Sequence, residues 1–179
     1  VAVDNQDPYK VYGGLQDNSS WVGPSESWGG IENKDWTSLS GGDGFWTFAD
    51  PDDPRFVYTE IQGGRATRVD LATGESKDIQ PQPGAGERPL RFNWNTPFVT
   101  SPTAPATLYL GAQFLLRSRD RGDSWQRISP DLTTDDPRRQ RQSQVFNQRR
   151  DLADAHTHLA VARLDKIRLH SKLRDRRAA

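Results

Sequence analysis

The chain of 179 residues carries 24 basic and 24 acidic side chains, so its formal charge is zero and it lacks the cationic excess of a whole-chain polyanion binder. It has no Cys, which excludes disulfides and thiolate metal sites, and no run approaching about 18 apolar residues, which excludes a transmembrane helix. It has no Met and begins at Val1 without the basic and apolar regions of a signal peptide, and is read as an internal or processed piece of a longer protein.

The first predicted strand holds Val11-Tyr12, followed by Gly13-Gly14-Leu15-Gln16-Asp17-Asn18. Its pattern, aliphatic-Tyr-x-x-x-Gln, returns as Val57-Tyr58…Gln62 and Leu108-Tyr109…Gln113, with Tyr-to-Tyr spacings of 46 and 51 residues. Pro51-x-x-Pro54 precedes the second copy and Pro102-x-x-Pro105 the third, at the same offset of 51. Arg68-Val69-Asp70 is echoed by Arg117-Ser118-Arg119-Asp120, and Ile79 by Ile128, after a slip of one or two residues. In the second unit short strands are predicted at Phe45–Phe48, Phe56–Ile61, Ala66–Leu71 and Ser76–Ile79, broken by Asp50-Pro51, Gly63-Gly64 and Thr73-Gly74. In the third they fall at Phe98–Thr100, Thr107–Leu110, Phe114–Ser118 and Trp125–Ile128. Four antiparallel strands repeating at about 50 residues is the pattern of a β-propeller blade. Helical repeats would need a 3.6-residue period, and a sandwich would not repeat its own sequence at this interval.

Ser118-Arg119-Asp120-Arg121-Gly122-Asp123-Ser124-Trp125 fits Ser-x-Asp-x-Gly-x-x-Trp at every defined position. In a hairpin between outer strands Asp120 accepts turn N–H groups, Gly122 takes positive φ and Trp125 covers the loop. This segment resembles the Asp-box, or bacterial neuraminidase repeat (BNR), of sialidases, sortilin-type receptors and xyloglucan-degrading propellers. Roughly Lys10 to Asp136 is covered by the resemblance. Tyr12-Gly13-Gly14-Leu15-Gln16-Asp17-Asn18, Ser40-Gly41-Gly42-Asp43-Gly44, Arg91-Phe92-Asn93-Trp94-Asn95 and Ser129-Pro130-Asp131-Leu132-Thr133 are similar to a bacterial branch described as sortilin-like or BNR glycosyl hydrolase proteins. The resemblance implies an all-β partial propeller of about two to three four-stranded blades over 1–136, with the remaining blades of a full-length propeller as partners and a secreted or periplasmic location. It implies a structural role for Ser118, Asp120, Gly122 and Trp125, because the Asp-box stabilises a turn away from the ligand face.

Before Pro137 there are 12 Lys/Arg against 20 Asp/Glu, net −8; after it there are 12 against 4, net +8. The segment 137–179 is expected to be a basic, partly helical tail, rich in Ala, Leu and Arg and with no Gly, Trp or Tyr. Within it, His156-Thr157-His158 places its two imidazoles on different helix faces, so no metal site is expected there.

The function expected from these residues is a recognition scaffold that binds peptide or carbohydrate on its loop face or central channel, with no cofactor and no nucleic acid. Candidate ligand residues are Gln16, Asp17, Asn18, Trp21, Asp43 and Trp94. Asp43 sits in Gly-Gly-Asp-Gly and Asp17 in Gln-Asp-Asn after a strand, where glycines let a ligand approach the backbone. Trp21 and Trp94, flanked by Asn, Ser and Pro, are placed in loops as stacking platforms. The alternative is a fragment of a glycoside hydrolase acting through paired carboxylates, with Asp43 or Asp17 as one of them among acidic loop positions that include Asp50, Asp52, Asp53, Glu60 and Asp123. The sialidase arginine cluster, Tyr nucleophile and Glu partner have no counterpart motif in this sequence.

Overall fold

A computed structural model describes residues 1–104 and 106–136, which form three four-stranded antiparallel sheets and one short 3-10 turn at Asn33–Asp35. The helix expected in the tail lies outside the described residues. The first sheet runs β1 (Ala2–Val3), β2 (Lys10–Gly14), β3 (Ser20–Pro24) and β4 (Thr37–Ser40). The second runs β5 (Thr47–Ala49), β6 (Phe56–Ile61), β7 (Arg65–Asp70) and β8 (Ser76–Asp78), and the third β9 (Phe98–Thr100), β10 (Leu108–Gly111), β11 (Leu115–Ser118) and β12 (Gln126–Arg127). Each is a simple meander in chain order. A complete first sheet stands where the sequence indicated one strand. Trp21 is in β3 rather than a loop, and Glu60 is in the interior of β6 rather than a loop.

The repeated Tyr has a common position and, in two sheets, a common partner. Tyr12 donates its hydroxyl to Asp4 at 2.8 Å and Tyr58 donates to Asp50 at 2.8 Å. Asp4 and Asp50 also gather the turn between the first two strands of their sheets, accepting from the amides of Gln6 and Lys10 and of Asp52 and Asp53 respectively. In the third sheet Ser101 takes this place, eight residues before Tyr109, and its Oγ accepts from Thr103 and Ala104.

The sheets stack in sequence order, because alternation along each strand gives it two apolar faces. Tyr12, Val22, Ala2 and Leu39 of the first sheet pack against Val57, Ala49 and Leu71 of the second. Tyr58, Ala66 and Ile79 of the second pack against Phe98, Leu108, Leu110 and Leu116 of the third, with Phe48, Tyr58 and Phe98 rings 5.1 to 6.0 Å apart. Each fully buried large side chain here contributes about 1.5–3 kcal/mol, so the joints between sheets carry the stability. No helix among the described residues is long and apolar enough to cross a membrane.

Candidate functional site

In an antiparallel meander successive turns fall at opposite ends of the sheet. One end therefore gathers the turn from second to third strand (15–19, 62–64, 112–114) and the connection leaving the fourth (41–46, 79–97, 128–136). Backbone hydrogen bonds tie these segments pairwise: Gly44 N–H to Leu15 at 3.0 Å, Ser19 N–H to Gly42 at 2.9 Å, Gly63 N–H to Trp94 at 3.1 Å and Leu132 N–H to Gln113 at 2.8 Å. Gln16, Asp17, Asn18, Asp43 and Trp94 all lie at this edge. The Asp-box lies at the other.

Asp17 and Asp43 are brought together. The Asp17 N–H donates to Asp43 Oδ1 at 2.6 Å. The neighbouring Asp43 raises the Asp17 carboxyl above the ordinary aspartate range, through hydrogen bonding first and charge second. Asp43 is buried and Asp17 is exposed, at φ 61° in the tip of the turn. The approach depends on missing side chains. A Cβ on Gly14 would stand 2.2 Å from the Gly44 carbonyl carbon, and one on Gly44 would stand 2.3 Å from the Ser19 carbonyl oxygen.

The edge continues from this pair toward the second sheet, since Gly42 abuts the Gln62 side chain and Gly63 holds the Trp94 carbonyl. Trp94 is 55% exposed and followed by exposed Asn95. Trp21, from β3, donates its indole N–H to the Asn18 carbonyl at 2.5 Å, so its ring braces the turn that presents Asp17. The three repeated Gln residues part company. Gln16 is exposed, whereas Gln113 is buried and binds the Arg91 N–H and the Pro89 carbonyl.

Two further residues matter here: Glu60, named from the sequence only as one of several acidic loop positions, and Arg91, which was not singled out. Glu60 has no exposed surface. Its Oε1 accepts from the Thr96 N–H at 3.2 Å and its Oε2 has no hydrogen-bond partner. Burial pushes this carboxyl up to about 8 despite the amides of Thr96, Gly64 and Trp46 turned toward it. Arg91 joins the two loops of the third sheet, donating to Asp131 at 3.0 Å, Thr133 at 2.6 Å and Asp135 at 3.1 Å. The only signal for it was that Arg91 falls in the phrase Arg91-Phe92-Asn93-Trp94-Asn95 and two of its three partners, Asp131 and Thr133, in Ser129-Pro130-Asp131-Leu132-Thr133.

At the opposite edge the Asp-box forms the β11–β12 hairpin. Asp120 accepts from the Ser124 N–H at 2.9 Å, the Ser124 hydroxyl and the Ser118 hydroxyl. Gly122 has φ 91°, and its bare Cα faces Ile79 of the neighbouring sheet. Trp125 donates its indole N–H to the Ile79 carbonyl at 2.8 Å, so the ring covers the joint between sheets as well as its own loop. Arg121 reaches further, to Asp50 Oδ2 at 2.9 Å. No group of three or more His, Asp or Glu is placed to hold a metal ion among the described residues. A scan against protein-family models finds no match to the chain, and a search of curated proteins finds none.

Proposed function

We propose that the chain is a run of three blades from an Asp-box β-propeller, and that it acts as a recognition scaffold binding a glycan at the edge that carries Asp17, Asp43 and Trp94. One observation carries this reading: the Asp17–Asp43 pair and the exposed Trp94 ring share one edge, linked through Gly42, Gln62 and Gly63. An exposed indole offers a face for stacking on a pyranose, and an exposed carboxyl on the same edge accepts hydroxyl hydrogen bonds. The hydrolase alternative needs one of these two carboxyls paired with another, about 5–5.5 Å away in retaining enzymes and about 6.5–9.5 Å away in inverting ones.

The test is a panel of defined oligosaccharides arrayed beside a random peptide library, probed with the chain and with Trp94→Ala and Asp43→Asn. Glycan capture is expected, abolished in Trp94→Ala and weakened at least tenfold in Asp43→Asn, with the melting temperature of Trp94→Ala unchanged because its ring is exposed. Retention of binding by Trp94→Ala, or capture from the peptide library alone, overturns the glycan reading.

A further inference from the structure

Glu60 and Gly14 hold the same place in their sheets, two residues after the repeated tyrosine and on the same face. At Gly14 the segment entering the second sheet packs straight onto the bare Cα, since a side chain there would strike the Gly44 carbonyl. At Glu60 the segment entering the third sheet packs onto a carboxyl instead. Its Oε1 accepts from the Thr96 N–H at 3.2 Å, the residue has no exposed surface, and Oε2 has no partner. An apolar side chain would fill this joint, lined by Phe98, Leu108 and Leu110, at less cost.

The segment that lies over Glu60 is the one that presents Trp94. Its ends are fixed: Phe92 packs on Gly64, where a Cβ would stand 2.5 Å from the ring, and Phe98 enters the core. Between them Trp94 and Asn95 are exposed and Thr96 is buried. Among the described residues two hydrogen bonds tie this stretch to the second sheet, from the Gly63 N–H to the Trp94 carbonyl at 3.1 Å and from the Thr96 N–H to Glu60. The Trp94 N–H and the Thr96 hydroxyl bond back to Asn93 within the segment. Lifting 93–96 therefore breaks only these two ties and brings water to the Glu60 carboxyl.

We propose that Glu60 is the positioning residue of the glycan edge: it seats the Trp94 segment as a neutral acid, and the segment lifts when the carboxyl gives up its proton. The movement stands on the contacts of Glu60, while its effect on binding rests on the glycan reading above. Among the described residues no charged side chain faces the carboxyl. Arg65, beside Ala66 opposite Glu60 in β7, is exposed on the other face of the sheet. Arg68, two residues beyond Ala66 on the same face, is paired with Asp123. Arg91, ahead of the segment, is held by Asp131 and Asp135. Asp43, on the segment entering β5, accepts from the Asp17 N–H, and Tyr58, on β6 itself, donates to Asp50. The third sheet presents Phe98 and Leu110.

The amides of Thr96, Gly64 and Trp46 favour a charge on Glu60, but burial outweighs them and lifts its titration from the ordinary 4.5 to about 8 while the segment is seated. With the segment lifted the carboxyl is in water and ionises at its ordinary value. Between the two values each opening releases a proton, so the opening constant rises about tenfold for each pH unit and levels off above them.

Amide exchange in the whole chain, followed by NMR from pH 5 to pH 8, tests this with Thr96 and Gly63 as reporters, since their N–H groups make the two ties. In the wild type both are expected to speed up by about tenfold more per pH unit than base-catalysed exchange demands, about a thousandfold over the range. Low urea should leave these rates unchanged, because a local opening exposes little surface; a steep rise with urea would make the opening global and overturn the lifting. Glu60→Gln keeps an acceptor for Thr96 but cannot ionise, and its rates should follow base catalysis alone. The Gly44 N–H, bonded to Leu15 at 3.0 Å in the joint where Gly14 stands in place of the glutamate, gives the same comparison within the wild type should the variant not fold. Equal slopes at Thr96 and Gly44, or in wild type and Glu60→Gln, overturn the role of Glu60. The glycan captured by the array is then titrated at pH 6 and pH 9. The wild type should bind at least about threefold more weakly at pH 9 and Glu60→Gln equally at both, a difference that Asp17, unchanged in the variant, does not produce. Exchange that follows Glu60 in a chain that captures no glycan overturns the glycan reading and leaves the seat intact. A captured glycan that the wild type binds equally at both pH values overturns the positioning role.

Discussion

Glu60 has a cost that its neighbours only partly offset. Its carboxyl is sealed between the second and third sheets, one oxygen on the Thr96 amide and the other unpartnered, and burial lifts its titration from the ordinary 4.5 to about 8. Between those two values the folded chain holds a proton that the unfolded chain has released, so stability falls as pH rises through that window. The slope is about 1.4 kcal/mol for each pH unit. Glu60→Gln keeps the shape and an acceptor for Thr96 but cannot ionise. Urea denaturation at fixed pH values from 5 to 9 is therefore expected to show a falling stability for the wild type that Glu60→Gln lacks, with the variant the more stable protein at pH 9. Parallel curves for the two proteins would mean that Glu60 is hydrated in solution. Asp17 is the opposite case. Its raised titration comes first from Asp43, by hydrogen bonding and charge, and only last from burial, so it is a property of the exposed edge and is screened by salt.

The Asp-box hairpin works as a latch as much as a turn. Burial pushes the Asp50 carboxyl up, but Arg121, the amides of Asp52 and Asp53, and the Tyr58 hydroxyl outweigh it and hold Asp50 below the ordinary range. Arg121 also lies over the Phe56 ring, 5.3 Å from its centre, so one side chain of the third sheet touches both the turn and the strand of the second. Arg121→Ala leaves the buried Asp50 without its cation and is expected to cost about 2–3 kcal/mol, less than a wholly buried pair because Arg121 is partly solvated. The loss should shrink in acid, below the ordinary aspartate range, where Asp50 takes up a proton; chemical denaturation of the variant and the wild type from pH 7 down to pH 2 checks both. Such contacts explain what was legible beforehand. The three tyrosines were visible because each holds the same strand position in its sheet, Tyr12 and Tyr58 filling the joint to the next, and Phe56–Ile61 because its alternation and flanking turns are local. Asp50–Arg121 spans 71 residues and Asp17–Asp43 spans 26, and no local spacing encodes either. Trp21 was misplaced because Asn-Ser-Ser before it and Gly-Pro after it read as turns, whereas β3 runs between them and pairs with β2 along its full length. Asp50, eight residues before Tyr58, was in view, but Pro51 beside it drew the reading toward turn chemistry alone; Asp4, equally placed before Tyr12, was not singled out.

At the scale of the molecule the three sheets differ in how many faces they have covered. The middle sheet is covered on both, and the first and third on one each. The same repeated position therefore carries different weight in different sheets. Tyr58 is fully buried in the joint between the second and third sheets, whereas Tyr109, its counterpart in the third, is half-exposed. Tyr58→Ala empties a packed site and is expected to cost about 3–5 kcal/mol, against less than about 1 kcal/mol for Tyr109→Ala. Urea denaturation of the two variants beside the wild type checks the difference, and equal losses would show that the third sheet's tyrosine is packed as tightly as the second's.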